Sequence, residues 1–157
     1  MAKTLVLFYS RSENTRNAAR FVADEVQADL FQVETAVPYA AEYKNCVQQA
    51  VAEWKGNARP AVQAVPGDVS GYESVVVAFP NWCGTMPMCL YTVLEQLDLS
   101  GKKVYALCTH GGSGFAQSVE NLAKLCPGAA VSEGLAVKGA EVASSEALIR
   151  SWARENL

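Results

Sequence analysis

Three short segments carry residues that could grip a small ligand. The first, SRSENT at 10–15, follows the apolar run TLVLF and precedes a segment spaced like a helix. A strand that turns straight into a helix leaves the first helical N–H groups unpaired and presents the positive end of the dipole. Ser10, Ser12 and Thr15 add hydroxyls and Asn14 an amide, so a phosphate would be held almost wholly by neutral donors, with Arg11 and Arg16 close by. The same residues also suit a plain helix cap, with Ser12 or Asn14 capping and Glu13 favouring the dipole. The second segment, PNWCGTMP at 80–87, sets Trp82 between two prolines on a connection. An indole exposed there would regain apolar burial by stacking on an aromatic ligand; the alternative is a ring tucked under the loop. The third, THGGSGF at 109–115, offers main-chain N–H and C=O groups with little side-chain bulk, so a flat ligand could come close, or the segment is simply a glycine-rich turn.

The elements that would position these segments follow from apolar patterning. Apolar or β-branched runs lie at 5–9, 30–33, 75–79 and 104–108, with a weaker one at 130–137, and several are continuous, as in strands buried on both faces. Between them run stripes at helical spacing: Ala19, Val22 and Val26; Val47, Ala50, Val51 and Trp54; Leu90, Val93, Leu94 and Leu97; Val119, Leu122, Ala123 and Cys126; and finally Leu148, Ile149 and Trp152. Five strands alternating with five helices predict a three-layer α/β/α doubly wound parallel sheet with right-handed crossovers, one domain over 1–157. Ligands bind such sheets beyond the carboxyl ends of the strands. The loops after strands one, three and four would then converge there. A dinucleotide fingerprint is excluded, because the first turn lacks glycine and Gln117 stands where the last glycine of G-x-G-x-x-G would fall after Gly112 and Gly114. One loop for phosphate, one aromatic platform and one bare-backbone rim together describe flavin mononucleotide (FMN).

Composition narrows the setting. The chain has 157 residues, half of them hydrophobic, and a formal charge of -3. That charge argues against nucleic acid or anionic membrane as a partner, since both need a basic footprint. The opening MAKTLVLF fits neither a signal peptide nor a spanning helix. Five cysteines with one histidine and no C-x-x-C pair suggest neither a disulfide frame nor a metal site, and Cys46, Cys89, Cys108 and Cys126 read as small buried residues in a reducing cytoplasm.

With its loops YSRSENT, PNWCGT and THGGSG, the sequence resembles the flavodoxins, most closely bacterial flavodoxin-like proteins that carry YSRTGNT, PIWWGT and TSGGSG. The resemblance implies strand order 2-1-3-4-5, a short-chain form and one non-covalent FMN. It implies phosphate contacts from Ser10, Arg11, Ser12, Asn14 and Thr15. It also implies a ring flanked on one side by Asn81, Trp82, Cys83 and Gly84 and on the other by Thr109, His110, Gly111 and Gly112. Three departures stand out: Glu13 replaces the phosphate-loop glycine, Cys83 replaces a second tryptophan, and His110 replaces a serine. Glu13 is expected to turn to solvent with Arg11 and Arg16 offsetting its charge, and to weaken phosphate binding. Cys83 is expected to be a tolerated small residue, His110 a solvated loop histidine, and Gly84 is expected to let a loop peptide turn its carbonyl toward the ring. The favoured function is a mobile electron carrier without catalytic acid or base, docking with a reductase and an acceptor protein and monomeric in preference to homodimeric. The alternative is an FMN-dependent NAD(P)H oxidoreductase acting on quinones or nitro compounds. A scaffold that has lost flavin binding is a third reading.

Overall fold

The computed structural model describes residues 3–157. Five parallel strands, β1 (Thr4–Phe8), β2 (Asp29–Gln32), β3 (Ser74–Pro80), β4 (Lys103–His110) and β5 (Ala130–Lys138), form one sheet in the order β2-β1-β3-β4-β5. The winding direction reverses between β1 and β3, so the loops leaving these two strands diverge and open a crevice at their carboxyl ends. β1 and β3 lie in the interior of the sheet and are apolar on both faces, which accounts for the unbroken runs LVLF and VVVAF rather than alternation.

Alternate residues along each strand feed two cores. Leu5, Leu7, Val75, Val77, Phe79, Val104 and Cys108 face α3 (Met88–Leu94) and α4 (Ser118–Leu125), packing on Leu90, Val93, Leu94 and Leu122. Val6, Phe8, Val76, Ala78 and Leu107 face α1 (Glu13–Val26) and α5 (Glu146–Asn156), meeting Ala18, Ala19, Val22, Ile149 and Ala153. The small residues of α1 let it lie close to the sheet, and this fixes where its first turn sits relative to β1. β5 carries a bulge: Ala106 pairs with Glu133 and Leu107 with Leu135, leaving Gly134 as the extra residue.

One helix departs from the expected pattern. α2 (Tyr43–Lys55) forms where the stripe Val47, Ala50, Val51, Trp54 predicts it, but Cys46 is its only buried residue. Val47 and Trp54 are exposed, at 39% and 46%. The helix is amphipathic in sequence, yet Val47, Ala50 and Val51 of its stripe line a cleft beside the site. The other four cysteines divide as expected: Cys89, Cys108 and Cys126 are buried, Cys83 is half-buried, and none of the five is in a disulfide. No helix among the described residues is long and apolar enough to cross a membrane.

Candidate functional site

The loop after β1 folds tightly on itself. Ser10 donates its hydroxyl to the Ser12 carbonyl and accepts from the Arg16 N–H at 3.1 Å. Ser12 is the N-cap of α1, with its Oγ 3.5 Å from the Asn14 N–H, so capping and anion binding draw on the same residues. Glu13 turns outward and pairs with Arg16 at 3.3 Å, its side chain 69% exposed. Arg11 takes no part in that pairing: it donates to the Ala41 carbonyl at 2.9 Å, and its guanidinium lies 5.7 Å from the Tyr43 ring centre. The offset of Glu13 therefore rests on Arg16 alone.

After β3 the chain makes a two-residue hairpin. Trp82 and Thr85 exchange main-chain bonds of 2.9 and 3.1 Å around Cys83 and Gly84, whose φ values are 57° and 79°. Positive φ at both central positions defines a type I′ turn. Asn81 ties this turn to its neighbours, since its Oδ1 accepts from the Gly84 N–H at 3.0 Å and its Nδ2 donates to the Gly114 carbonyl at 3.0 Å. The Gly84 carbonyl accepts from the Gln117 N–H at 2.9 Å. The freedom expected of Gly84 is thus absent: both of its main-chain groups are engaged, and turning the 83–84 peptide would put Cys83 into a conformation open essentially to glycine. Trp82 is half-buried on an aromatic base, edge-on to Tyr9 at 5.4 Å and to Tyr39 at 5.2 Å. Both alternatives for this ring hold in part, because its inner edge belongs to the core margin while its remaining surface lines the crevice. Burial raises the Cys83 thiol pKa, which disfavours the reactive thiolate.

The loop after β4 is joined to the first loop by a hydroxyl pair, Thr15 Oγ1 to Thr109 Oγ1 at 2.8 Å, with both residues buried. His110 is half-buried, and its Nδ1 accepts from the Gly112 N–H at 2.9 Å in an exposed turn. A Cβ placed on Gly111 or Gly112 would meet nothing within 4 Å, so the glycine rim is open on its outer side.

These loops enclose a concavity of about 340 Å³. Arg11, Ser12, Asn14, Thr15, Asn81, Trp82, Thr109, His110 and Gly111 line it. Ser10, Cys83, Gly84 and Gly112 stand behind or beside the wall. Three lining residues escaped sequence reading. Tyr43 comes from the start of α2 and is 73% exposed, an aromatic that the helical stripe gave no reason to place here. Gly139 and Ala140 follow β5, and a Cβ on Gly139 would lie 2.9 Å from Asn14 Nδ2, so glycine lets that loop close on the phosphate-loop amide. The signal was present in the bare GA pair after the last strand.

The flavodoxin family model matches residues 3–156, and the chain belongs to the flavodoxin family. A candidate flavoprotein of Bacteroides uniformis is 26% identical with 98% of each chain covered and a TM-score of 0.85. One from Bacteroides eggerthii is also 26% identical, covering 99% of this chain and 98% of its own, at 0.82. A flavoprotein of Lactobacillus acidophilus, solved in complex with FMN, shares 23% identity, covers 92% of this chain and 98% of its own, and has a TM-score of 0.73. No curated protein matches the chain at a significant level.

Proposed function

We propose that the chain binds one FMN non-covalently and serves as a one- and two-electron carrier between a reductase and an acceptor protein. The observation that carries this reading is the single concavity in which an anion-binding helix start, a half-exposed tryptophan and an open glycine rim face one another. The donor set fits the group. Main-chain N–H groups and neutral side chains gather at the β1 loop, the one nearby carboxylate is turned away onto Arg16, and open backbone at Gly111 allows a ring to lie flat. When bound, the flavin supplies the electron chemistry. Ser12 and Asn14 would position the phosphate, Thr15 would offer its N–H while its hydroxyl holds Thr109, and Trp82 would stack and keep water from one face. Asn81 acts by holding the second and third loops together. Membership in the flavodoxin family and the FMN complex of the Lactobacillus acidophilus relative support the reading.

The carrier would work as a cytoplasmic monomer, its thiols kept reduced. The oxidoreductase reading has one observation in its favour, a cleft of about 190 Å³ between α2 and Trp82–Cys83, where Val47, Ala50 and Val51 offer an apolar wall to a small acceptor. Titration with FMN followed by absorption and quenching of flavin fluorescence tests the cofactor, with one equivalent bound as the expected result; failure to bind refutes it. Oxidation of NADH or NADPH with a quinone, measured alongside the size of the protein in solution, separates the two functions. The carrier reading requires no turnover above that of free FMN.

A further inference from the structure

Trp82 does not border the crevice alone. Its ring stands edge-on to Tyr39 at 5.2 Å and to Tyr9 at 5.4 Å, and the two tyrosines are 6.1 Å apart, so three oxidisable rings pack against one another. The flavin reading uses Trp82 as a stacking surface and gives the tyrosines no task. Their hydroxyls differ. Tyr39 donates to Glu53 Oε1 at 2.5 Å, whereas the Tyr9 hydroxyl makes no hydrogen bond among the described residues. Glu53 forms no ion pair among the described residues, and burial raises its pKa, which makes it a stronger base than an exposed carboxylate. Tyr39 and Glu53 are half-buried and border a hollow of about 400 Å³ between the 35–39 loop and α2, so water and small solutes reach both.

This arrangement suits one-electron chemistry. An oxidised indole draws an electron from a phenol packed against it, but a phenol that loses an electron becomes a strong acid and must shed its proton in the same step. A tyrosine with a base at hydrogen-bond distance can do so, and of the two tyrosines at Trp82 only Tyr39 has one. We propose that Trp82, Tyr39 and Glu53 form an outlet that carries oxidising equivalents out of the crevice. A one-electron oxidant of the oxygen-radical class takes an electron from Trp82 and is itself reduced. Tyr39 then returns an electron to the indole while its phenolic proton passes to Glu53 Oε1, leaving Trp82 restored and a neutral tyrosyl radical at the edge of the hollow. A reductant of the thiol or ascorbate class supplies a hydrogen atom to the Tyr39 oxygen, and Glu53 releases its proton to water. Tyr72 serves as a comparison: it also donates to a carboxylate, Asp29 at 2.6 Å, but it lies near the amino ends of β2 and β3, away from the crevice.

Only the chain's own side chains take part, so the outlet stands whether or not FMN binds, and flavin-free protein tests it. Trp54→Phe and Trp152→Phe together leave Trp82 as the one indole of the chain. In that parent, azide radicals generated by a radiolysis pulse at neutral pH oxidise Trp82, and the indole radical is expected to convert to a tyrosyl radical at a rate independent of protein concentration. Tyr39→Phe keeps the ring and is expected to slow decay of the indole radical by about tenfold or more. Glu53→Gln keeps a hydrogen-bond acceptor without a base and is expected to slow it by about threefold to tenfold, whereas a Glu53 that merely props the ring would leave the rate unchanged. Tyr9→Phe and Tyr72→Phe are expected to change the rate less than about twofold. Should the double tryptophan replacement unfold the chain, the comparison is made in the wild type, where Trp82→Phe must lose the phase that depends on Tyr39. Absence of a tyrosyl radical in the parent, equal decay in the parent and in Tyr39→Phe, or a rate untouched by Glu53→Gln would each overturn the outlet.

Discussion

Cys83 offers the sharpest test of how the ring-side loop is built. It occupies the first central position of a type I′ turn at φ 57°, where an L residue other than Asn, Asp or Gly is strained. A side chain in this region costs about 1–2 kcal/mol relative to extended or helical backbone, and Asn recovers most of that by local hydrogen bonding. Val is one heavy atom larger than Cys and branched at Cβ, so at this half-buried position it adds strain in the left-handed region. Cys83→Asn is therefore expected to stabilise by about 1 kcal/mol and Cys83→Val to destabilise by about 1–2 kcal/mol. For a chain of this length about 1 kcal/mol moves the melting temperature by roughly 2–4 °C. The assay is urea and thermal unfolding of the flavin-free protein, so that cofactor affinity does not enter. If Asn and Val give equal stabilities, position 83 is not under backbone strain and the account of a locked 83–84 peptide fails with it.

Other outcomes follow from separate features. Thr15→Val strands the buried Thr109 hydroxyl and should cost about 1–2 kcal/mol in urea unfolding, whereas the double variant Thr15→Val/Thr109→Val should recover much of the loss. A Cβ at Gly134 would fall 2.5 Å from the Ala106 carbonyl oxygen and 2.9 Å from Trp152, so Gly134→Ala should lower stability by about 1–3 kcal/mol, and a neutral result would show that the β5 bulge relaxes freely. Burial pushes the Glu53 carboxyl above its ordinary 4.5, against the opposing effect of the Tyr39 hydroxyl that donates to it at 2.5 Å. The folded state then holds the proton more tightly than the unfolded chain, so stability should fall as pH rises through the window just above 4.5, and Glu53→Gln should remove that part of the slope between pH 4 and 7. Glu13→Gly should tighten FMN binding about threefold to tenfold at low salt, with the gain shrinking as salt is added; equal affinities would show that the outward pairing with Arg16 already cancels the charge.

The sheet was legible because its central strands are long apolar runs and the helices covering both faces repeat at 3.6 residues. Val75 to Phe79 could hardly be anything but a buried strand. The stripe on α2 shows the limit of that logic: Val47, Ala50, Val51 and Trp54 have helical spacing and do form a helix, but spacing says nothing about whether a sheet lies opposite. The three main loops were legible from composition, whereas the conformations within them were not. A Cys-Gly pair gives little hint of a type I′ turn, because Cys is poorly suited to the first position and only the bonds from Trp82, Asn81 and Gln117 hold it there. Arg11 lines the concavity as expected, but its guanidinium also leans on Ala41 and Tyr43, a contact between segments thirty residues apart that no local pattern records. Gly139 and Ala140 were overlooked because the strand before them is interrupted by Ser132, Glu133 and Gly134 and so gives a weak apolar run.

The loops around the crevice are joined to one another by the protein's own bonds. Thr15 holds Thr109, Asn81 holds both Gly84 and Gly114, Gln117 holds Gly84, and Gly139 sits against Asn14. The Thr15–Thr109, Asn81–Gly114 and Gln117–Gly84 bonds cross between segments distant in sequence, which favours a crevice shaped before any ligand enters. A ligand entering such a site has little loop entropy to overcome, and more of the contact energy appears as affinity. The same ties bear on electron transfer. A cofactor's charge changes when it is reduced, and a wall free to move would move with it, slowing the exchange by the time needed to rearrange. Walls tied by buried hydroxyls and side-chain amides would follow less than free loops, so under the carrier reading the two redox states would meet similar surroundings. If the chain is the carrier proposed above, Thr15, Asn81 and Thr109 would set the speed of exchange through the loops they hold in place.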